Sequence, residues 1–371
     1  MDYIILDMEW NQAVPGGRVV YRPLFLEGEI IQIGAVKVRP DDDDLVVVDT
    51  FEIGVRPQFY TKLNSHVRRL TGITARDLQR GLPFPQAYRE FRDWCGSDVM
   101  FVIWGDNDID LLRENMLLHG IGTEDLPPAV NCQWIFQNQV KLDEEEEFDG
   151  HSQLALGDAV RVVHGRAHEA HDALGDALST YEVCRHLDME RGAEDFARSE
   201  KCMPIAEAQR EYQLTAAQVK SALRTAAART ADKKGASRRE QRRFLLPAAR
   251  EQLFADAAFL QAPCPRCGGA EEARLQCNEW VSQGSSGHYL ALAVCPHCGA
   301  RYFVRLRLRC VRNELWCASR RLYPMNDAFA EYYRRRAERQ REREERMRNH
   351  RASRSEKQRE SSSGGQAPSS H

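Results

Sequence analysis

The chain has 371 residues, with 52 Lys and Arg against 55 Asp and Glu and a formal net charge of −3. Hydrophobic residues make up 42% and charged residues 29%, which excludes a largely disordered or membrane-embedded protein. No apolar run reaches the ~18 residues that a membrane span needs. The start, Met1 to Ile5, has no basic segment or cleavage site of a secretion signal. Eleven cysteines, an odd number, favour metal binding or free thiols over a disulfide framework, so we expect a cytoplasmic protein.

The near-neutral total hides two halves of opposite charge. Residues 1–190 carry 34 acidic and 17 basic residues, a net charge of −17, whereas residues 191–371 carry 21 acidic and 35 basic residues, a net charge of +14. This asymmetry suggests a carboxylate-rich site, charged by metal ions, beside a surface that binds polyanions. Two solvated surfaces of opposite sign would explain the charges equally well.

The first half predicts locally paired strands followed by strands that alternate with helices. Short apolar runs predict strands over Tyr3–Leu6, Ile30–Val38, Leu45–Ile53 and Val99–Trp104. Helical spacing of apolar residues predicts a helix over Phe84–Trp94 and another that carries Leu111 and Leu112. Ile30–Val38 is apolar on both faces, which indicates a central strand. We therefore expect an α/β fold with a mixed sheet flanked by helices over residues 1–190.

The second half predicts three further segments. Residues 191–261 read as a helical, basic linker, with an Ala-rich helix from Ile205 to Arg229 and a hinge at Lys233-Lys234-Gly235. Residues 262–325 contain a compact cysteine-rich module, and residues 326–371 a charged helix and a Ser/Gly-rich tail expected to be disordered. Glu144–Glu147 predicts an exposed acidic loop.

Two carboxylates follow the first predicted strand, in Asp7-Met8-Glu9. Residues i and i+2 of a strand point to the same face, so both side chains would converge at the end of the strand. Their mutual repulsion would be relieved by a divalent cation. On its own the pair is more typical of a solvated strand end, and it needs partners elsewhere in the chain.

Two later segments offer such partners. Trp104-Gly105-Asp106-Asn107-Asp108 lies where a predicted strand gives way to a helix. His171-Asp172-Ala173-Leu174-Gly175-Asp176 opens another helix, with Asp172 as its N-cap and His171 on the preceding loop. Taken singly, these are a turn aspartate, a capping histidine and a solvated helix face. Their order and spacing point instead to one acidic site.

These motifs together resemble the DEDDh branch of the DEDD superfamily of 3′–5′ exonucleases, to which the DnaQ-like and RNase T-like enzymes belong. Asp7-x-Glu9 is similar to the first motif, Asp108-x-x-Leu111-Leu112 to the second and His171-x-x-x-x-Asp176 to the third. The resemblance covers roughly residues 1–190 and includes Leu70-Thr71-Gly72-Ile73-Thr74 and the strand Glu29–Ala35. The form Trp104-Gly105-x-x-Asp108 most resembles the RNA-processing subgroup with KapD-like and histone-mRNA exonucleases.

The motif spacing leaves alternatives at two positions. Asp106 is a possible ligand in place of Asp108, although the register against Leu111 and Leu112 favours Asp108. His164 and His168 also precede the third motif, but only His171 has the four-residue gap to Asp176.

The resemblance implies a ribonuclease H-like fold and a metal-dependent exonuclease. Two Mg²⁺ or Mn²⁺ ions would be held by the four carboxylates, with His171 as the general base. The four are Asp7, Glu9, Asp108 and Asp176. The implied substrate is the 3′ end of single-stranded RNA or DNA, with RNA favoured on the subgroup resemblance alone. Trp10 would stack on a base, or else belong to the core.

Two Cys-x-x-Cys-Gly segments form the cysteine module. Cys264, Cys267, Cys295 and Cys298 have the spacing of two zinc knuckles and predict tetrahedral ligation of a structural Zn²⁺, in a zinc ribbon. After the second knuckle, Arg305, Arg307 and Arg309 alternate along a predicted strand and indicate one basic face. Nucleic-acid contact is the favoured interpretation of this face, and protein contact by the ribbon or the tail is the alternative.

Three functions fit these features. The first is a 3′–5′ exonuclease whose basic half grips its substrate. The second is a non-catalytic nucleic-acid-binding or adaptor protein on an exonuclease scaffold, against which the complete acidic set argues. The third is proofreading for a polymerase, which would have to be a separate chain.

Overall fold

The computed structural model describes residues 1–17, 19, 26–41, 44–140, 154–227, 238–268, 273–283, 287–311 and 314–363. The predicted loop Glu144–Glu147, the hinge at Lys233-Lys234-Gly235 and the Ser/Gly end of the tail lie outside these ranges. Among the described residues, no helix is long and apolar enough to cross a membrane.

A six-stranded mixed sheet organises the first half. Its strands are β1 (Asp2–Asn11), β2 (Glu29–Asp41), β3 (Asp44–Arg56), β4 (Leu82–Pro83), β5 (Val99–Ile103) and β6 (Ala129–Asn131), in the order β4-β3-β2-β1-β5-β6. β1, β2 and β3 are antiparallel neighbours, and β5 runs parallel to both β1 and β6. The predicted local pairing of the first strands and the mixed sheet are therefore confirmed. Residues 29–36 of β2 are all buried, because the strand is central and covered on both faces.

Helices cover this sheet and connect its strands. They are α1 (Ser65–Thr71), α2 (Ala75–Arg80), α3 (Phe84–Cys95), α4 (Asn107–Leu118), α5 (Cys132–Gln139), α6 (Leu156–Val162), α7 (Ala173–Cys184) and α8 (Met189–Arg198). Local chemistry sets several starts: Asn131 caps α5, and Asp172 accepts a 3.0 Å hydrogen bond from the Gly175 backbone N–H at the start of α7. The ribonuclease H-like mixed α/β fold is as expected, and so is Asp172 as an N-cap.

The second half forms an antiparallel half-barrel. Its strands are β7 (Ala206–Gln213), β8 (Gln276–Cys277), β9 (Val281–Ser282), β10 (His288–Val294), β11 (Arg301–Cys310) and β12 (Leu315–Pro324), in the order β7-β12-β11-β10-β8, with β9 beside β10. The helices of this half are α9 (Ala216–Ala227), α10 (Arg238–Ala255), α11 (Ala257–Leu260) and α12 (Asp327–Ser363). The half-barrel carries the four-cysteine cluster. It also includes β7, which lies outside the predicted cysteine module of residues 262–325.

The segment Ile205 to Arg229 differs from its predicted single helix. Its first part is β7, which pairs along its length with β12, and only α9 is helical. Ala206 and Tyr212, on one face of β7, pack into apolar clusters of the second half. Alanine, glutamate and glutamine favour helices locally, but the unpaired edge of β12 and this packing outweigh that preference.

One hydrophobic core connects the two halves. Residues of β10, β11 and β12, including Leu290, Phe303 and Tyr323, belong to the same buried cluster as the first sheet, and so do Phe329 and Tyr333 of α12. The Phe303 and Phe329 rings stack with centroids 4.4 Å apart. The second sheet therefore packs directly against the first half. The division into domains at residues 190, 261 and 325 stays a prediction.

Candidate active site and metal centres

Two parallel strands bring three carboxylates to one edge of the first sheet. Asp7 and Glu9 lie two residues apart on β1, opposite Gly34 and Gln32 of β2. Beside them, β5 leads into α4, whose first turn carries Asp108 with 5% of its surface exposed. Because β1 and β5 are parallel neighbours, the ends of both strands meet at the same edge.

A close contact between α7 and β2 adds the fourth carboxylate and the histidine. A Cβ atom on Gly34 would lie 2.2 Å from the backbone of Ala173 and Leu174, so only glycine allows the start of α7 to approach the strand this closely. The buried Gln32 fixes the same start: its Nε2 donates to Asp172 Oδ1 at 2.9 Å, and its Oε1 accepts from the Ala173 N–H at 3.3 Å.

His171 lies on the loop before α7 with its side chain exposed. Its φ is 61°, a left-handed conformation that is uncommon for residues other than glycine. The His171 backbone N–H donates to Asp176 Oδ2 at 2.9 Å, which holds the loop against the helix. Potential ligand atoms of Glu9, His171 and Asp176 lie within 4.8 Å of one another. Asp7 and Asp108 lie beside this triad, within range of its electrostatic field.

Burial and mutual repulsion raise the pKa of every carboxyl group in this cluster. Burial and then the charges of Asp108, Asp176 and Glu9 raise the pKa of Asp7 well above its usual range. Burial, with Asp176 and Asp108 next, raises the pKa of Glu9 to about 8. Burial raises the pKa of Asp108 to about 7 against backbone hydrogen bonds that lower it, and burial also raises the pKa of Asp176. Ionising these carboxyl groups together is therefore unfavourable in the metal-free cluster, and a bound cation would remove that penalty.

The donor set fits a divalent cation. Asp108 Oδ1 is buried without a hydrogen-bond partner in the described part of the chain. None of the four carboxylates forms an ion pair with a Lys or Arg among the described residues. Oxygen-only ligands of this kind suit Mg²⁺ or Mn²⁺ better than softer metals.

The alternative residues of the second and third motifs lie elsewhere. Asp106 is exposed at the N-cap of α4, and its Oδ1 accepts a 2.7 Å hydrogen bond from Asn131 Nδ2. His168 Nε2 lies 3.8 Å from Glu182 Oε1. Asp108, by contrast, is among the charges that raise the pKa of Asp7. Of Asp106 and Asp108, the cluster contains Asp108. Of the candidate histidines, it contains His171.

Two buried polar residues that the motifs did not single out support the site. Gln32 fixes the start of α7, as described above. Asn115, fully buried on α4, accepts from the Ile30 N–H at 3.1 Å and donates to the Gly28 carbonyl at 3.1 Å. A polar side chain inside an otherwise apolar strand or helix face is the sequence signal that could have identified both.

Two candidate substrate contacts differ in their exposure. Trp10 packs against the core and against Gly28, where a Cβ atom would lie 2.3 Å from Trp10 Cδ1. Leu70, at the end of α1, is 44% exposed. Leu70 is therefore the more accessible of the two, whereas Trp10 contributes to packing.

The four cysteines of the zinc prediction lie together. Potential ligand atoms of Cys264, Cys267, Cys295 and Cys298 are within 4.8 Å of one another. The Cys264 and Cys298 sulfurs are 3.7 Å apart, and the Cys267 and Cys295 sulfurs 3.8 Å. A tetrahedral Zn²⁺ with ~2.3 Å bonds to sulfur separates its ligands by about 3.8 Å. Gly268, with a φ of 62°, turns the first knuckle as the sequence predicts. The sulfur geometry therefore fits zinc.

The basic face of β11 lies partly against the acidic first half, while Arg307 on the same face is exposed. Arg309 forms an ion pair with Glu27, and the neighbouring Arg321 of β12 forms one with Asp110 of α4. Arg305 lies over the rings of Tyr323 and Phe329, at 5.0 and 5.6 Å. The reason is charge complementarity, since the facing half of the molecule is strongly acidic.

Comparison with known proteins gives matches to exonucleases. A family model described as an RNase T exonuclease matches residues 19–184. A probable 3′–5′ exonuclease KapD from Bacillus subtilis is 25% identical over 199 residues, which are 51% of this chain and 85% of that protein.

Matches among solved structures include nucleases. The nuclease domain of 3′hExo, a DEDDh family member bound to rAMP, is 22% identical, with 52% of this chain and 94% of that chain covered and a TM-score of 0.41. Cell-death related nuclease 4 is 19% identical, with 58% and 70% covered and a TM-score of 0.42. Exonuclease I of E. coli, in complex with a dT13 oligonucleotide, is 14% identical, with 53% and 43% covered and a TM-score of 0.40.

Proposed function

We propose that this chain, whose first half belongs to the RNase T/DEDDh family of 3′–5′ exonucleases, hydrolyses phosphodiester bonds at the 3′ ends of single-stranded RNA or DNA. The observation that carries the proposal is the convergence of Asp7, Glu9, Asp108, His171 and Asp176 at one edge of the sheet. A scaffold without metal would gain nothing from four neighbouring carboxylates that repel one another.

The four carboxylates would hold two Mg²⁺ or Mn²⁺ ions. Bound there, two divalent ions supply an activated water and stabilise negative charge on the phosphate and on the leaving 3′ oxygen. The contribution of Asp7, Glu9, Asp108 and Asp176 is to present oxygen ligands from a rigid strand edge and two helix starts. Their unpaired charges and the unpartnered Asp108 Oδ1 support this assignment.

His171 would act as the general base. A neutral imidazole accepts the proton of the attacking water, so one nitrogen must reach the reaction centre. The exposed side chain, close to Glu9 and Asp176, supports this role, and the hydrogen bond from its backbone to Asp176 holds the loop in place. The exposed position also leaves the imidazole free to meet a substrate that enters from solvent.

The substrate would be the 3′-terminal part of a single strand. The exposed Leu70 supports a contact with the terminal nucleotide, as the resemblance of Leu70-Thr71-Gly72-Ile73 implies. RNA is favoured over DNA because Trp104-Gly105-x-x-Asp108 resembles the second motif of RNA-processing relatives.

Zn²⁺ would have a structural role in the second half. Cys264, Cys267, Cys295 and Cys298 would hold it, and the sulfur separations support tetrahedral ligation. The cluster packs beside Tyr302, whose hydroxyl lies 3.5 Å from Cys264 Sγ. Zinc would thereby stabilise the end of the half-barrel that β8, β10 and β11 form.

The test uses matched 5′-labelled single-stranded RNA and DNA with Mg²⁺, with Mn²⁺ or without divalent ions, and the Asp7→Ala variant beside the wild type. We expect a metal-dependent ladder that shortens from the 3′ end and is absent from the variant. Equal cleavage by Asp7→Ala would overturn the metal-site assignment. Binding without cleavage by the wild type would instead favour the non-catalytic adaptor.

A further inference from the structure

A groove on the second half combines unpaired arginines with aromatic rings. It has a volume of about 840 Å³ and lies between α10, α12 and the β9–β10 edge of the half-barrel. The residues that matter for its chemistry are Arg250, Trp280, Arg336, Arg339, Arg343 and Glu344. None of them belongs to the carboxylate cluster or to the cysteine cluster.

Three arginines present one cationic edge along α12. Arg336, Arg339 and Arg343 are spaced i, i+3 and i+7, which places them on one face over a rise of about 10 Å. Within the described ranges, none of the three, nor Arg250 across the groove, is paired with a carboxylate. Glu344, the carboxylate in the groove, accepts a 3.0 Å hydrogen bond from Gln340. The groove therefore carries a local excess of positive charge.

Some other arginines of the same helix are paired. Arg334 pairs with Glu331, and Arg346 lies 3.8 Å from Glu342. Arg341 and Arg348 form no ion pair among the described residues either, but they do not line the groove. The observation that points to an anionic ligand is therefore the groove itself, which gathers unpaired arginines beside aromatic rings.

An aromatic platform lies between the two arginine-bearing helices. Trp280 is partly exposed, and its ring meets that of Phe254 edge-on, with centroids 5.9 Å apart. The Phe254 ring in turn packs against the Tyr289 ring, with centroids 5.1 Å apart, so packed aromatic rings hold the indole in position. A fixed, partly exposed indole beside cationic side chains is the combination that binds successive bases and phosphates of a single strand.

We propose that this groove binds single-stranded nucleic acid, with phosphates on Arg250, Arg336, Arg339 and Arg343 and a base on Trp280. The proposal rests on the proposed function in that the same strand would supply the 3′ end to the carboxylate cluster. The groove would hold the body of a long substrate, so that affinity for long strands depends on residues remote from the chemistry.

The test measures binding of a 5′-fluorescein 30-mer of uridylate by fluorescence anisotropy. The full, zinc-loaded chain is used with Asp7→Ala to prevent cleavage, alone and with Arg339→Gln/Arg343→Gln added. We expect the double substitution to weaken binding about 10-fold and to reduce the slope of log affinity against log salt by about 1.4, for two lost phosphate contacts. The matched control is Arg334→Gln/Arg346→Gln, which removes the same charge from the same helix and should change the affinity less than 2-fold.

Two results would overturn the proposal that the groove binds nucleic acid. One is equal weakening by both double variants, which would mean that only total charge matters. The other is unchanged binding of the 30-mer by Arg339→Gln/Arg343→Gln, whether or not a polyglutamate peptide binds in the groove instead.

Quenching of tryptophan fluorescence by the 30-mer should also be smaller in Trp280→Phe than in the wild type.

Cleavage assays separate this proposal from the exonuclease itself. With Asp7 restored, Arg339→Gln/Arg343→Gln should raise the KM for the 30-mer about 10-fold and leave kcat/KM for a trinucleotide unchanged. If the wild type binds the 30-mer through the groove but cleaves nothing, the exonuclease proposal fails and the groove stands. If the wild type cleaves the 30-mer and Arg339→Gln/Arg343→Gln binds it with unchanged affinity, only the groove proposal fails.

Discussion

Arg321 of β12 lies 2.9 Å from Asp110 of α4, the helix whose first turn also carries Asp108. The same guanidinium donates to Glu207 of β7 at 2.9 Å, so it connects two strands of the half-barrel to a helix of the other half. The Glu207 side chain is only 1% exposed and that of Arg321 23%. The second sheet thus contacts, through one side chain, the element that positions a candidate metal ligand.

Removing Arg321 should destabilise the whole protein. Arg321→Met leaves the buried Glu207 carboxylate and the partly exposed Asp110 carboxylate without their partner, at a cost of about 3 kcal/mol in the free energy of unfolding. Urea denaturation measures this, with Arg39→Met as the control, because Arg39 forms a similar two-bond pair with Asp2 at an exposed position. The control should change little. Equal losses in the free energy of unfolding would show that the Arg321 ion pairs stabilise the protein no more than the exposed Arg39–Asp2 pair.

The metal-free protein should lose stability as the pH rises through neutrality. The folded pKa values of Glu9, about 8, and Asp108, about 7, exceed those of free carboxyl groups, so the folded state binds more protons than the unfolded state between about pH 4.5 and 8. Stability from these groups is complete below this window and lost across it. Mg²⁺ should therefore raise the melting temperature more at pH 8 than at pH 6.

Melting temperatures from pH 5.5 to 8.5, with and without Mg²⁺, test this expectation. Glu114 on α4 also has a raised pKa, about 8, and contributes to the slope in the wild type. The informative quantity is therefore the difference from Glu9→Gln/Asp108→Asn, which should have a flatter profile and a smaller response to Mg²⁺. A profile identical to that of the wild type would contradict the assignment.

Asp106 and Asp108 should respond differently to the same isosteric change. Asp108→Asn should lower kcat about 100-fold or more, because a metal ligand contributes several kcal/mol. Asp106→Asn should retain activity within a few-fold, since its Oδ1 accepts from Asn131 and an asparagine oxygen can do the same. Exonuclease rates on one labelled strand decide between them. The reverse ranking would move the ligand to Asp106.

Gln32 should act as a positioning residue. Gln32→Leu removes its hydrogen bonds to Asp172 and Ala173, and the resulting freedom of the start of α7 should lower activity about 10-fold. Because Asp176 lies on that helix, the Mg²⁺ concentration for half-maximal activity should rise as well. Gln86→Leu is the control, as the exposed Gln86 donates a hydrogen bond to Glu90 on the surface of α3. A loss of stability with an unchanged Mg²⁺ requirement would indicate a purely structural role.

Cys264→Ser should release zinc. Elemental analysis should give about one Zn²⁺ per wild-type chain and much less in the variant, because a structural site needs all four ligands. Cys277→Ser is the control, since Cys277 lies outside the four-cysteine cluster. Zinc content unaffected by Cys264→Ser would exclude this site.

The sequence determined the parts of this protein that local spacing controls. Short apolar runs predict β1, β2, β3 and β5, and the two Cys-x-x-Cys-Gly segments predict the cysteine cluster. Asp172 as N-cap and His171 on the preceding loop also follow from neighbouring residues alone. Each of these motifs is recognisable from adjacent residues, so the one-dimensional pattern suffices.

Tertiary structure decided whatever depends on a distant partner. β7 is a strand because the edge of β12 pairs with it, against the helical preference of its residues. Gln32 supports the site because Gly34 has no side chain, which lets α7 approach β2 and reach Gln32. Arg309 of β11 and Arg321 of β12 pair with Glu27 and Asp110 of the first half, while unpaired arginines remain on α12. Pairing and charge complementarity act through space, and local spacing in the sequence does not record them.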